Sequence, residues 1–66
     1  MTTGEVIAGK RRAAMMSQTE LAARVGTTRV SISQWERNIR RPETTKLIGL
    51  ANVFGCSLDE IARPAE

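Results

Sequence analysis

The sequence predicts an all-α domain built from five short helices. Three observations carry that prediction. Apolar residues recur at spacings of three and four, as on one face of a helix. Serine or threonine precedes most of these runs, where a side-chain oxygen can accept from a free backbone N–H, and Gly26, Gly55 and Pro64 stand where helices would stop. β-branched residues are scattered, without the sustained alternation of a strand.

The first helix is expected over about residues 4–15. Thr3 would cap it, Glu5 suits its positive end, and Ile7, Arg11 and Ala14 share a face. Gly9 inside it costs about 1 kcal/mol relative to alanine, which a close helix–helix approach would explain. The second helix starts with a capping box of Ser17 and Glu20, turns Leu21, Ala22 and Val25 inward, and ends at Gly26. The third covers about 29–36, capped by Thr28, with Ile32 and Trp35 inward and Arg29, Val30, Ser33 and Gln34 on the other face. Asn38 can take the left-handed turn after it. The loop "NIRRP" leads to a fourth helix over about 44–54, whose inner stripe is Leu47, Leu50, Ala51 and Phe54. Gly49 is a second glycine inside a helix. The fifth, about 58–62, opens with a capping box of Ser57 and Glu60 and sets Leu58 and Ile61 on one face. Met15 and Met16 are expected to pack at a helix end, and Cys56 to be a small buried hydrophobe.

Sixty-six residues make one domain, 1–66, with a short tail at 63–66. Its core is small, so self-association would add buried area. Without histidine and with one cysteine, the chain offers no usual zinc ligand set, no Ser–His or Cys–His pair and no internal disulfide. No metal, cofactor or enzymatic role is therefore expected. Apolar runs are too short to span a membrane, the N-terminus lacks a signal peptide's apolar core, and a cytoplasmic setting follows.

The charge is unevenly spread. Lys10 to Lys46 holds nine basic residues against three acids, while the net charge of the whole chain is +3. A basic block between weakly acidic ends suits a polyanionic partner.

The stretch "SQTELAARVGTTRVSISQWE" explains the pattern. Helices of eight residues are marginal alone, but two joined by a tight turn brace each other. The first can then hold out the second, a rod whose width matches the major groove of B-form DNA. Counting Gln18 as position one, small Ala22 is fifth, Gly26 ninth at the turn, Ile32 fifteenth and Trp35 eighteenth. These offsets describe a helix-turn-helix at about 18–36. An ordinary αα-hairpin is the plainer alternative, and the basic block weighs against it.

With "SQTELAARVG", "SISQWER" and "RRPETTKLIGLANVFGCSLDEI", the chain resembles the phage repressor and Cro family of Xre-type helix-turn-helix domains over about residues 4–62. The resemblance implies a compact, lambda-repressor-like domain that binds operator DNA as a symmetric dimer. It does not imply a target gene.

In that family the positions matching Arg29 and Val30 read base edges, and Ser33 and Gln34, a turn further on, are expected to do so as well. Arginine can donate twice to guanine, glutamine can pair twice with adenine, and valine can pack on thymine methyls. In the family the glutamine that Gln18 matches touches a phosphate and steadies the third, recognition helix, which implies the same role for Gln18. Thr28, Asn38, Arg40 and Arg41 are expected on phosphates as well. Arg11 and Glu36 match a structural ion pair that fixes the third helix. Family members often dimerise through the last helix and the turn before it. That implies an interface of Leu58, Ile61, Ala62 and Pro64, with Leu58 mainly in the core and the others nearer the partner. Trp35 is expected in the core rather than as a base-stacking platform, since Phe54 is the sole other aromatic.

The expected function is a sequence-specific regulator of transcription, a repressor of phage or prophage type. It would act in the bacterial nucleoid on a palindromic double-stranded DNA operator, as a homodimer. The rival reading is a protein-interaction domain of the same fold, an antitoxin or adaptor, against which the basic block argues.

Overall fold

In the computed structural model, which describes residues 1–64, the chain forms α1 (Thr3–Ala13), α2 (Gln18–Val25), α3 (Arg29–Glu36), α4 (Thr44–Phe54) and α5 (Leu58–Ala62). The last two residues of the expected tail lie outside the described part. No strand occurs among the described residues.

The caps set the boundaries. Thr2, not Thr3, starts α1: its hydroxyl accepts from the Glu5 N–H at 3.1 Å, and the Glu5 carboxylate accepts from the Thr2 N–H at 3.0 Å. This reciprocal box needs an acid three residues past the cap, which Thr2 has and Thr3 lacks. Thr3 instead donates its hydroxyl to the Ile61 carbonyl at 2.9 Å. Ser17, Thr28 and Ser57 each accept from the N–H three residues on. The expected boxes at Ser17 and Ser57 are only half made. The Glu20 carboxylate lies 3.5 Å from Arg24, and the Glu60 carboxylate 3.0 Å from Lys10.

Helix α1 ends about two residues earlier than expected, with Ala14 as its C-cap and Met15 left-handed at φ 58°. Ala14 is thus exposed rather than on the inner face, and Met15 is 91% exposed; Met16 alone of the two packs on the core. Left-handed Gly26 (φ 82°) and Gly55 (φ 65°) end α2 and α4.

Ile7, Leu21, Ile32, Leu50 and Ile61, one from each helix, are fully buried and meet at the centre. Each contributes about 1.5–3 kcal/mol relative to exposure. Val6, Ala22, Trp35, Leu47 and Ala51 surround them, while Phe54 and Cys56 are half-buried at the edge. Trp35 therefore lies in the core.

Two expectations fail here. Ile61 is fully buried, whereas Leu58 is 36% exposed, reversing their assigned places. Their three-residue spacing puts both on one side of a short helix, and tilt decides which faces inward. The close approach of α1 is also not at Gly9, where an added Cβ would meet nothing within 4 Å. It is at Gly4, where a Cβ would stand 2.5 Å from the carbonyl oxygens of both Trp35 and Glu36. Gly4 thus lets the start of α1 rest on the end of α3.

Candidate nucleic-acid interface

α3 packs against both α1 and α2. In α2 the small side chain of Ala22 is 3% exposed and belongs to the buried core. Gly26 turns the chain with its left-handed backbone, and Thr28 restarts it by accepting from the Ser31 N–H at 3.1 Å. Ile32 and Trp35 anchor α3 from below. The outward side then holds Arg29 and Val30, both exposed, with Ser33 and Gln34 half-buried a turn further on. The geometry brings these four residues onto one helix face.

An ion pair joins α1 to the end of α3. Arg11 Nε donates to Glu36 Oε2 at 2.6 Å, Arg11 Nη2 to Glu36 Oε1 at 3.2 Å and Arg11 Nη1 to the Met16 carbonyl at 2.9 Å. The side chains are only 13% and 7% exposed. Burial acts most strongly on Glu36 and would raise its pKa. The bonds from Arg11 and Gln18, with the charges of Arg11 and Arg12, outweigh it and hold the carboxyl below its ordinary range. The bond to Glu36 in turn raises the pKa of Arg11.

Gln18 joins this pair to the exposed face. Its Nε2 donates to Glu36 Oε1 at 3.0 Å, and its Oε1 faces Arg29 Nη1 at 3.4 Å. Arg29 is thereby oriented from the α2 side.

The loop after α3 is tied by its side chains to two other helices. Asn38 is left-handed (φ 58°) as expected. Its amide, however, accepts from the Gly4 N–H at 3.1 Å and donates to the Thr2 hydroxyl at 2.9 Å, capping α1. Arg41 donates to the Ala62 carbonyl at 2.8 Å. Both side chains are exposed, and each satisfies a polar group at an end of another helix. Arg40 is exposed, with no side-chain hydrogen bond or ion pair among the described residues. Lys46, unassigned from the sequence, donates to the Gly26 carbonyl at 2.9 Å and secures the end of α2.

Among the described residues, salt bridges involve Lys10, Arg11 and Arg24. Arg12, Arg29, Arg37 and Arg40 are exposed cations without an acidic partner there. No group of residues that could hold a metal ion occurs among those described, and no helix is long and apolar enough to cross a membrane.

A helix-turn-helix family model matches residues 7–61. The chain belongs to the helix-turn-helix family. It is 35% identical over 60 residues to repressor protein C2 of Salmonella phage P22, covering 91% of this chain and 28% of that protein. The helix-turn-helix chain thus spans under a third of the length of that curated relative. Among solved structures, the P22 c2 repressor in complex with a synthetic operator, 9T, superposes with a TM-score of 0.94 at 32% identity and covers 98% of each chain. The solution structure of the P22 c2 repressor DNA-binding domain gives 0.90 at 33% identity, covering 97% of this chain and 84% of that one.

Proposed function

We propose that this helix-turn-helix domain binds double-stranded DNA at a palindromic operator as a symmetric homodimer and represses transcription by occupying a promoter. The observation that carries the reading is the exposed α3 face. It is held rigid by a nearly buried ion pair, in a backbone that superposes at a TM-score of 0.94 on an operator-bound repressor.

Arg29, Val30, Ser33 and Gln34 select the sequence through base edges in the major groove. Thr28, the N-terminal end of α2 at Gln18 and Arg40 face the phosphates, which fix affinity and register. In the dimer the two α3 helices lie about one helical turn of DNA apart. Leu58, Ala62 and Pro64 form the contact between subunits, supported by the exposure of Leu58 and the partial exposure of the other two. Ile61 has no surface left to offer a partner. The site of action is the nucleoid, in the cytoplasm.

Titration against mixed-sequence duplex DNA at rising salt tests the first step. Affinity should fall linearly on a log–log plot, because bound counterions are released. A folded protein that binds no duplex even at low salt would sink the reading in favour of a protein partner.

A further inference from the structure

Arg41 is the one cation of the DNA-side loop whose guanidinium is bonded to a helix end. Nη2 donates to the Ala62 carbonyl at 2.8 Å, and Nη1 lies 3.5 Å from the Thr3 hydroxyl. That hydroxyl itself donates to the Ile61 carbonyl at 2.9 Å. Ile61 and Ala62 are the last residues of α5, whose terminal carbonyls have no partner within the helix. They also carry the negative end of its dipole, which favours a cation. A helix of five residues has little stability of its own. The donors from Thr3 and Arg41 therefore matter to where α5 ends.

The same loop is held at its other end. Asn38 bonds to the Gly4 N–H and the Thr2 hydroxyl, and Pro42, next to Arg41, is buried. The segment from Asn38 to Pro42 is thus pinned onto the start of α1 and the end of α5. Between the pins lies Arg40, which is exposed.

We propose that Arg41 is a positioning residue rather than a phosphate ligand: it latches the loop after the recognition helix to the end of α5, so that the DNA-facing loop and the subunit-contact end of the molecule are held as one piece. The inference rests on the DNA-binding reading for its consequence, though not for the latch itself. A symmetric dimer needs its two recognition helices at a fixed separation. Arg41 joins the part that meets DNA to the part that sets that separation.

The test compares Arg41→Gln, Arg41→Lys and Arg40→Gln at a temperature where all are fully folded. The probe is a duplex of about 20 base pairs, two helical turns, carrying the sequence enriched from a randomised pool. Arg41→Gln should weaken binding roughly fivefold or more at every salt concentration, giving a line parallel to that of the wild type. Arg40→Gln should flatten the line by about 0.9 for each phosphate it no longer neutralises. Arg41→Lys, which can reach one carbonyl, should fall between wild type and Arg41→Gln. A readout without DNA accompanies these. The Arg63 N–H, bonded to the Asp59 carbonyl at 2.9 Å, should exchange faster in Arg41→Gln and not in Arg40→Gln.

A flattened salt line for Arg41→Gln would make Arg41 a phosphate ligand and overturn the proposal. Unchanged affinity in the folded variant would reduce the latch to a purely structural one and overturn the positioning role. Should the wild type bind no duplex, the DNA-binding reading fails and the coupling with it, while the Arg63 exchange rates still decide whether the latch exists.

Discussion

Arg11 and Glu36 meet through two parallel hydrogen bonds of 2.6 and 3.2 Å, joining the third turn of α1 to the last residue of α3. With 13% and 7% exposure, the pair stands between the surface case, worth little, and the fully buried case. Replacing Arg11 by Met or Glu36 by Ala should cost on the order of 2–3 kcal/mol in urea unfolding, because the remaining charge is left unpaired. Exchanging the two residues together should recover part of that loss. No recovery in the double variant would mean that the pair does not fix α3.

The same pair gives stability a pH dependence. The folded-state pKa of Glu36 lies below the ordinary value of 4.5. Its stabilising contribution is then fully present above that value and is lost as pH falls through the lowered folded-state pKa. The stability gap between wild type and Glu36→Gln should stay constant from pH 7 to about pH 5 and shrink in more acid solution. A gap that widened on acidification would contradict the sign.

Two glycines of α1 should respond in opposite directions. Gly9→Ala meets open space, so it should stabilise by roughly 0.5–1 kcal/mol. Gly4→Ala drives a methyl to 2.5 Å from two carbonyl oxygens of α3 and should destabilise by about 1–3 kcal/mol or more. Thermal melts of the two variants decide this, and equal effects would mean that α1 does not rest on α3 as described.

Much of this fold was legible because helix signals are local. The bounds of α2 and α3 follow from Ser17, Gly26 and Thr28, each of which acts within one turn. The start of α1 was readable only to within a residue: Thr3 is the expected cap, whereas Glu5 stands three residues after Thr2 and pairs with it. Its end was not, because Met15 turns left-handed without a glycine to mark it. Gly4 carries no local sign of its role, which depends on an α3 carbonyl pair more than thirty residues away. The bonds of Asn38 to Gly4 and of Arg41 to Ala62 were not legible for the same reason, since those partners are distant in sequence. The α3 face was legible because Ile32 and Trp35 fix which side is inward, and the outward residues follow from helical geometry.

Leu58 and Ile61 should separate stability from association. Ile61→Ala removes a fully buried side chain and should cost about 2–5 kcal/mol in the monomer. Leu58→Ala should cost about 1 kcal/mol or less there, yet weaken dimer formation on DNA. Sedimentation with and without DNA would show it, and a Leu58→Ala dimer as tight as wild type would remove Leu58 from the contact.

Arg29 should determine one base. Its Nη1 is 3.4 Å from Gln18 Oε1, and its side chain is exposed on the α3 face. Arg29→Ala should lose about 1–3 kcal/mol of discrimination at a single guanine in each half-site. Arg29→Lys should restore charge but not the two-pronged geometry. Binding to a panel of single-base operator variants reads this, and uniform weakening across the panel would assign Arg29 to the phosphates instead.

Selection from a randomised pool of duplex DNA at near-physiological salt decides whether the α3 face selects an operator for a dimer. An approximate palindrome with half-sites about 10–11 base pairs apart should be enriched. A folded, monodisperse protein that enriched no sequence at all would contradict this reading.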